Sequence, residues 1–305
     1  MGLDLSVKAG NIVFKNPIIP ASGTFGFGRE IEQYYDLSVL GGIVSKGITR
    51  FPRKGNPPAR IAETPSGMLN SVGLQNPGIF KFIDEELEHF TSFNCVSIVN
   101  IAGNSVDEYV EMSEMLQNTD CEIIELNLSC PNVKEGCMAF GNNVKGIESV
   151  VKSVRKVSSK PLWVKLTPNT TNIADNAKAA EYSGADAVCL VNTFLGLAID
   201  IKTRRPVLRN NYGGLSGPAI KPIALRMVNE VYQSVSIPVI GLGGIMNAGD
   251  VLEFMMSGAT AVQIGTANLV NPYICYDIIK DIEIMLYNMG VTEIKTLIGS
   301  LELWK

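Results

Sequence analysis

Eight short runs of apolar, largely β-branched residues punctuate the chain: 18–22, 42–47, 97–103, 123–129, 162–167, 187–193, 238–244 and 261–266. Each closes on Gly, Asn, Lys, Ser or Thr. Inside a run the apolar positions are nearly continuous, which is the pattern of a strand buried on both faces. Between most runs, apolar positions recur at helical spacing, as in 106–117, 144–158, 173–183, 221–235, 248–257 and 273–289. Strands alternating with helices about eight times favour a closed (β/α)8 TIM barrel over an open sheet. Two decorations are expected. Residues 5–15 read as an N-terminal β-hairpin that turns at Ala9-Gly10-Asn11 and plugs the N-terminal end of the barrel. Residues 194–218 form a long insertion after the sixth strand, at the C-terminal face where barrel active sites lie. Residues 65–78 read as a loop after the second strand. No Pro/Gly-rich linker divides residues 1–305, so a single domain is expected.

Composition narrows the chemistry. Of 305 residues, 46% are hydrophobic and 18% charged, enough to bury a sizeable core. A net charge of −4 without a basic block argues against nucleic acid. The N-terminus lacks a basic segment followed by an apolar one, and no apolar run is long enough to span a bilayer; a cytoplasmic protein is expected. Six cysteines are scattered with no tight cluster of four, so neither a disulfide framework nor an iron–sulfur centre on this chain is expected. The single histidine, His89, sits in an acidic helical stretch. Ser-His-Asp catalysis and most zinc chemistry are thereby disfavoured, and a general base must be Cys, Lys, Asp, Glu or Tyr.

The strand ends carry the candidate chemistry: Ser22, Lys46, Asn100, Asn127 with Cys130, Lys165, Asn192 with Thr193, Gly243-Gly244 and Gly265-Thr266. Lys46 and Lys165 each close a strongly apolar run. A lysine there is costly unless something anionic or polar meets it, so an anionic ligand is predicted. Glycine turns after strands seven and eight suit a phosphate, because their backbone N–H groups can converge on it. Asn70, Asn127, Asn132 and Asn192 can form a clamp for a ring with C=O and N–H edges. Cys130 lies past its strand end in a Pro/Asn/Lys/Gly loop and is the natural proton-abstracting base, with Cys137 as its rival. Cys95, Cys121, Cys189 and Cys275 read as inert apolar residues.

Five segments now add up to a specific resemblance. Lys46-Gly-Ile-Thr-Arg with Gly55-Asn-Pro-Pro, residues 63–78, Asn127-Leu-Ser-Cys-Pro-Asn, Trp163-Val-Lys-Leu-Thr-Pro and Gly241-Leu-Gly-Gly-Ile together resemble the dihydroorotate dehydrogenases, in order and over essentially the whole chain. The resemblance implies an FMN-dependent barrel that oxidises dihydroorotate to orotate in pyrimidine synthesis. A cysteine base marks the cytosolic class 1 enzymes, whereas the membrane-bound class uses serine. Residues 50–58 and 61–64 resemble the NAD-linked class 1B catalytic chain more than the fumarate-linked one. That subclass implies a partner subunit carrying FAD and a [2Fe–2S] cluster, around a homodimeric core. The resemblance assigns Gly217, Gly243, Gly244, Gly265 and Thr266 to the FMN phosphate. It assigns Ser22, Lys46, Gly47, Asn100, Asn127, Lys165 and Val191 to the rest of the cofactor. Dihydroorotate would meet Lys46, Asn70, Ser71, Val72, Gly73, Leu74, Asn127, Asn132, Asn192 and Thr193, and Cys130 would be the base. The alternatives are a fumarate-linked enzyme acting without a partner, a tRNA-dihydrouridine synthase, which needs a basic RNA-facing surface, a flavin-free barrel isomerase or lyase, and a catalytically silent flavin scaffold.

Overall fold

The computed structural model describes residues 2–128 and 140–304. The chain opens with the antiparallel hairpin β1 (Val7–Ala9) and β2 (Ile12–Phe14), turned through Gly10 at a φ of 61°. Then follow β3 (Ile18–Pro20), β4 (Gly42–Val44), β5 (Ile61–Thr64), β6 (Gly67–Asn70), β7 (Val96–Ile101), β8 (Ile123–Asn127), β9 (Leu162–Lys165) and β10 (Ala187–Leu190). The inserted segment supplies β11 (Phe194–Gly196), β12 (Ile199–Asp200), β13 (Arg205–Pro206) and β14 (Gly213–Ser216), and the last strands are β15 (Val239–Leu242) and β16 (Ala259–Ile264). The helices are α1 (Ile79–Lys81), α2 (Leu87–Thr91), α3 (Val106–Gln117), α4 (Val144–Arg155), α5 (Ile173–Tyr182), α6 (Lys221–Tyr232), α7 (Ala248–Met256), α8 (Thr266–Val270) and α9 (Ile274–Met289).

Eight parallel strands lie in the order β3-β16-β15-β10-β9-β8-β7-β4, which is the barrel the apolar runs predict. Residues of β4, β7, β8, β9, β10, β15 and β16 are buried throughout, because helices cover the outside while side chains fill the inside. Outer helices start where a side chain can satisfy the first free N–H groups. Ser105, Asn143, Asn172 and Asn247 each accept a backbone N–H three residues on, at 3.2, 2.9, 3.1 and 3.0 Å. The hairpin closes the N-terminal end as expected: buried Phe14 packs its ring 5.7 Å from that of Trp163 in β9.

The seam between β3 and β4 has no strand ladder. The Gly41 N–H closes it by donating to the Ile18 carbonyl at 3.0 Å. Asn16 stitches the same corner, donating to the Val39 carbonyl at 2.8 Å and accepting from the Ile18 N–H at 3.1 Å. A Cβ on Gly41 would stand 2.0 Å from the Asn16 carbonyl oxygen. Gly41→Ala must therefore push this seam apart, and we expect it to lower unfolding free energy by about 3 kcal/mol in chemical denaturation.

One expectation is corrected. Residues 65–78 are not wholly loop: β6 lies among them and joins a four-stranded antiparallel sheet, β11-β14-β6-β5. Its central pairing sets Leu69 opposite Leu215 and Asn70 opposite Gly214, across 144 and more residues of sequence. Four- and three-residue strands rich in Gly and polar side chains give no periodic signal, and the pairing that holds them is non-local. Together with the insertion, this sheet walls the C-terminal mouth of the barrel. Among the described residues, no helix is long and apolar enough to cross a membrane.

Candidate active site

A cavity of about 300 Å³ opens at the C-terminal ends of the barrel strands. From the barrel it receives Ser22 past β3, Lys46 and Gly47 past β4, Asn127 at the end of β8 and Lys165 at the end of β9. Val191, Asn192 and Thr193 follow β10, Gly243 and Gly244 follow β15, and Gly265 and Thr266 follow β16; all of them line it. The antiparallel sheet and its loop contribute Asn70, Val72, Gly73, Leu74, Gly214 and Ser216. Parallel strands bring their C-terminal ends to one face, so residues far apart in sequence converge there.

Three candidate residues stand behind the wall. Asn100 is fully buried and donates to Glu125 Oε1 at 2.6 Å. Ser71 is 1% exposed, and its hydroxyl has no hydrogen-bond partner among the described residues. Gly217 sits outside the lining but backs it: a Cβ on Gly244 would meet the Gly217 carbonyl at 2.9 Å. Cys130, Asn132 and Cys137 lie outside the described residues. The other four cysteines are buried or half-buried. Burial pushes the Cys95 thiol up to about 12 and raises Cys121, Cys189 and Cys275 as well, so none offers a thiolate at neutral pH. His89 is half-buried on α2, 3.0 Å from Glu32.

The two lysines differ in setting. Lys46 is half-buried and makes no ion pair among the described residues. Burial, and then the charge of Arg60, lower its pKa below the usual ammonium value. A positive group so placed is stabilised by an anion entering the cavity. Lys165 is 4% exposed and already engaged: its Nζ donates to Gln263 Oε1 at 3.1 Å and stands 3.7 Å from Glu125 Oε1. Gln263 Nε2 in turn donates to Glu125 Oε2 at 2.5 Å. Asn127 Nδ2 points toward Asn100 Oδ1 at 3.5 Å, and its carbonyl accepts the Tyr109 hydroxyl at 2.8 Å. Asn192 Oδ1 accepts the Thr193 N–H at 2.8 Å. Glu125 and Gln263 are the residues that sequence reasoning passed over. Their signal was a carboxylate and an amide set inside strands that are otherwise apolar.

The glycine turns make a cradle. Gly243 and Gly244 have φ of 119° and 81°, which other residues rarely adopt. A Cβ at Gly244 would lie 2.7 Å from the Lys221 Cβ, whereas at Gly265 it would meet only the Ala21 Cβ, at 3.8 Å, and project into open space. The N–H groups of Gly243, Gly244 and Gly265 donate to no acceptor among the described residues. Thr266 Oγ1 donates to Ser216 Oγ at 2.8 Å and fixes the far rim. Unpaired backbone donors around an open pocket suit an anion with several acceptor oxygens, such as a phosphate. Gly244→Ala should fill the cradle from behind and weaken phosphate-ester binding at least ~10-fold, read by fluorescence titration of the apoprotein.

Comparison with known proteins places the chain in a family. A family profile described as dihydroorotate dehydrogenase matches residues 4–286. The chain is 53% identical over 300 residues to a protein of Thermoanaerobacter pseudethanolicus (strain ATCC 33223 / 39E), covering 98% of this chain and 99% of that one. It is 52% identical over 296 residues to a protein of Geobacillus kaustophilus (strain HTA426), covering 97% and 95%. Both relatives are named dihydroorotate dehydrogenase B (NAD(+)), catalytic subunit.

Proposed function

This chain belongs to the dihydroorotate dehydrogenase family, and from that premise we propose that it oxidises dihydroorotate to orotate with FMN held in the cavity, passing electrons to NAD+ through a separate subunit. The observation that carries the reading is the meeting of Lys46, a half-buried cation without an ion pair among the described residues, with the glycine cradle in one cavity. One feature calls for a carboxylate and the other for a phosphate. FMN supplies the phosphate, and dihydroorotate the carboxylate.

The residues present fit FMN. Gly243, Gly244, Gly265 and Thr266, backed by Gly217, would hold its phosphate. Ser22, Gly47, Asn127, Lys165 and Val191 would line the rest, with Asn100 acting from behind through Asn127. When bound, FMN supplies the hydride acceptor; the protein supplies position and charge. Lys46 pairs with the substrate carboxylate. Asn70, Asn127, Asn132 and Asn192 offer amide donors and acceptors to the edges of the pyrimidine ring. Residues 71–74 and Thr193 shape the same pocket, Ser71 from behind its wall. Cys130, as its thiolate, takes the proton from C5, which is adjacent to a carbonyl but too weakly acidic to leave unaided. Lys165 holds positive charge beside the cofactor and favours its accumulating negative charge.

FAD and a [2Fe–2S] cluster belong to the partner in this reading, around a homodimer of this chain, in the cytoplasm. The relatives' names specify a catalytic subunit, which supports a two-component enzyme. The test is to reduce the purified chain anaerobically with dihydroorotate, then offer NAD+, fumarate or quinone, with and without the co-expressed electron-transfer subunit. Reoxidation by NAD+ should be fast only with that subunit. Fast NAD+ turnover by the chain alone contradicts the two-subunit reading, and fast fumarate turnover favours the partner-free alternative.

A further inference from the structure

Glu125 is completely buried, yet it carries a carboxylate just behind a cavity whose proposed ligands are both anionic. Its hydrogen bonds are those an ionised carboxylate accepts. Asn100 Nδ2 donates to Oε1 at 2.6 Å, and Gln263 Nε2 donates to Oε2 at 2.5 Å. Lys165, its partner in charge, stays 3.7 Å from Oε1, too far for a direct hydrogen bond. The Lys165 ammonium donates instead to Gln263 Oε1 at 3.1 Å. The Gln263 amide is thus oriented by its neighbours, carbonyl toward the cation and NH2 toward the anion. It bridges the two charges and holds them apart. Lys165 and Gln263 line the cavity, and Glu125 does not.

A buried ion pair is a weak source of stability, since well-packed apolar residues often serve as well. A pair held apart has another consequence. The ammonium keeps donors and field directed at the cavity, while the carboxylate offsets part of that field. We propose that Glu125, acting through Gln263, is a positioning residue that sets how much of the Lys165 charge reaches the cofactor, and thereby the cofactor's reduction potential. This rests on the FMN reading above.

Two substitutions should move the potential in opposite directions. Glu125→Gln removes the offsetting charge, so the full Lys165 charge favours the more negative, reduced cofactor and the potential rises. Gln263→Leu removes the bridge, so Lys165 closes onto Glu125, its donors leave the cavity and the potential falls. The expected effect is about a tenfold change in the ratio of affinities for reduced over oxidised FMN, upward in one variant and downward in the other. That is about 30 mV for a two-electron couple. Loosened packing alone lowers affinity for both forms and does not produce opposite shifts.

The experiment equilibrates FMN-loaded wild type and both variants with redox dyes, and titrates each apoprotein with FMN by fluorescence quenching. Opposite shifts support the assignment. Unchanged potentials, or shifts of one sign, overturn it while leaving the FMN reading intact. A wild-type chain that binds no FMN overturns the FMN reading and this inference with it. If Glu125→Gln fails to fold, Gln263→Leu decides alone: a lowered potential supports the assignment, and an unchanged or raised one overturns it.

Discussion

Cys130→Ala is expected to leave FMN content unchanged and to slow dihydroorotate oxidation by ~10²–10⁴-fold, the usual worth of a positioned general base. The only histidine is half-buried on α2, paired with Glu32 rather than facing the cavity. The other cysteines of the described chain are held protonated by burial. Lys165 is tied to Gln263 and Glu125. In sequence Cys130 lies three residues after Asn127, the last residue of β8, which lines the cavity. A thiol acts as a base only when ionised, so the wild-type rate of flavin reduction should rise with pH, and Cys130→Ser should move that rise to higher pH. Stopped-flow reduction of flavin measures both effects. Full-speed reduction in Cys130→Ala, at full flavin content, removes Cys130 from the mechanism.

The second large effect concerns Lys46. Lys46→Met should weaken orotate binding by ~2–5 kcal/mol, or ~30- to ~5,000-fold, because the ligand's carboxylate then enters a half-buried site without a counter-charge. The same variant should be more stable than wild type when no ligand is present. The sign follows from linkage. Folding lowers the Lys46 pKa below its ordinary 10.5. Where the pH lies between the lowered and the ordinary value, the unfolded chain binds more protons and stability rises with pH. The cost of burying the charge is therefore fully present below the lowered pKa and disappears by pH 10.5. Methionine removes that cost at neutral pH. An anionic ligand raises the Lys46 pKa again, so orotate affinity should fall as pH climbs through the lowered value. Isothermal titration across pH, with thermal melts of the apoprotein, checks both halves. A less stable Lys46→Met apoprotein with unchanged orotate affinity contradicts this role.

Much of the barrel could be read from the sequence because its strands are buried on both faces and leave near-continuous apolar runs. Helix α3 spans the residues its periodicity predicts, since Ser105 caps its start. Other runs overshoot: the 187–193 run ends as strand at Leu190, and the next three residues turn to line the cavity. The antiparallel wall left no such trace, because β6 and β14 depend on each other across the chain. At the site, the lysines and glycines stood out because each is an unusual residue for the end of an apolar strand. Glu125 and Gln263 did not, because a single polar residue inside a strand gains meaning only when other strands bring it partners, here from β7, β9 and β16 around Glu125 on β8. Sequence position alone also could not separate Asn127, on the cavity wall, from Asn100, one layer behind it.

One cavity is proposed to receive cofactor and substrate together. The direct test is an anaerobic titration of the purified, FMN-containing chain with dihydroorotate, without any partner subunit, followed by flavin absorbance. Bleaching of the flavin in proportion to added substrate, with release of orotate, is the predicted result. A chain that carries its full complement of FMN and stays yellow in excess dihydroorotate would contradict the account.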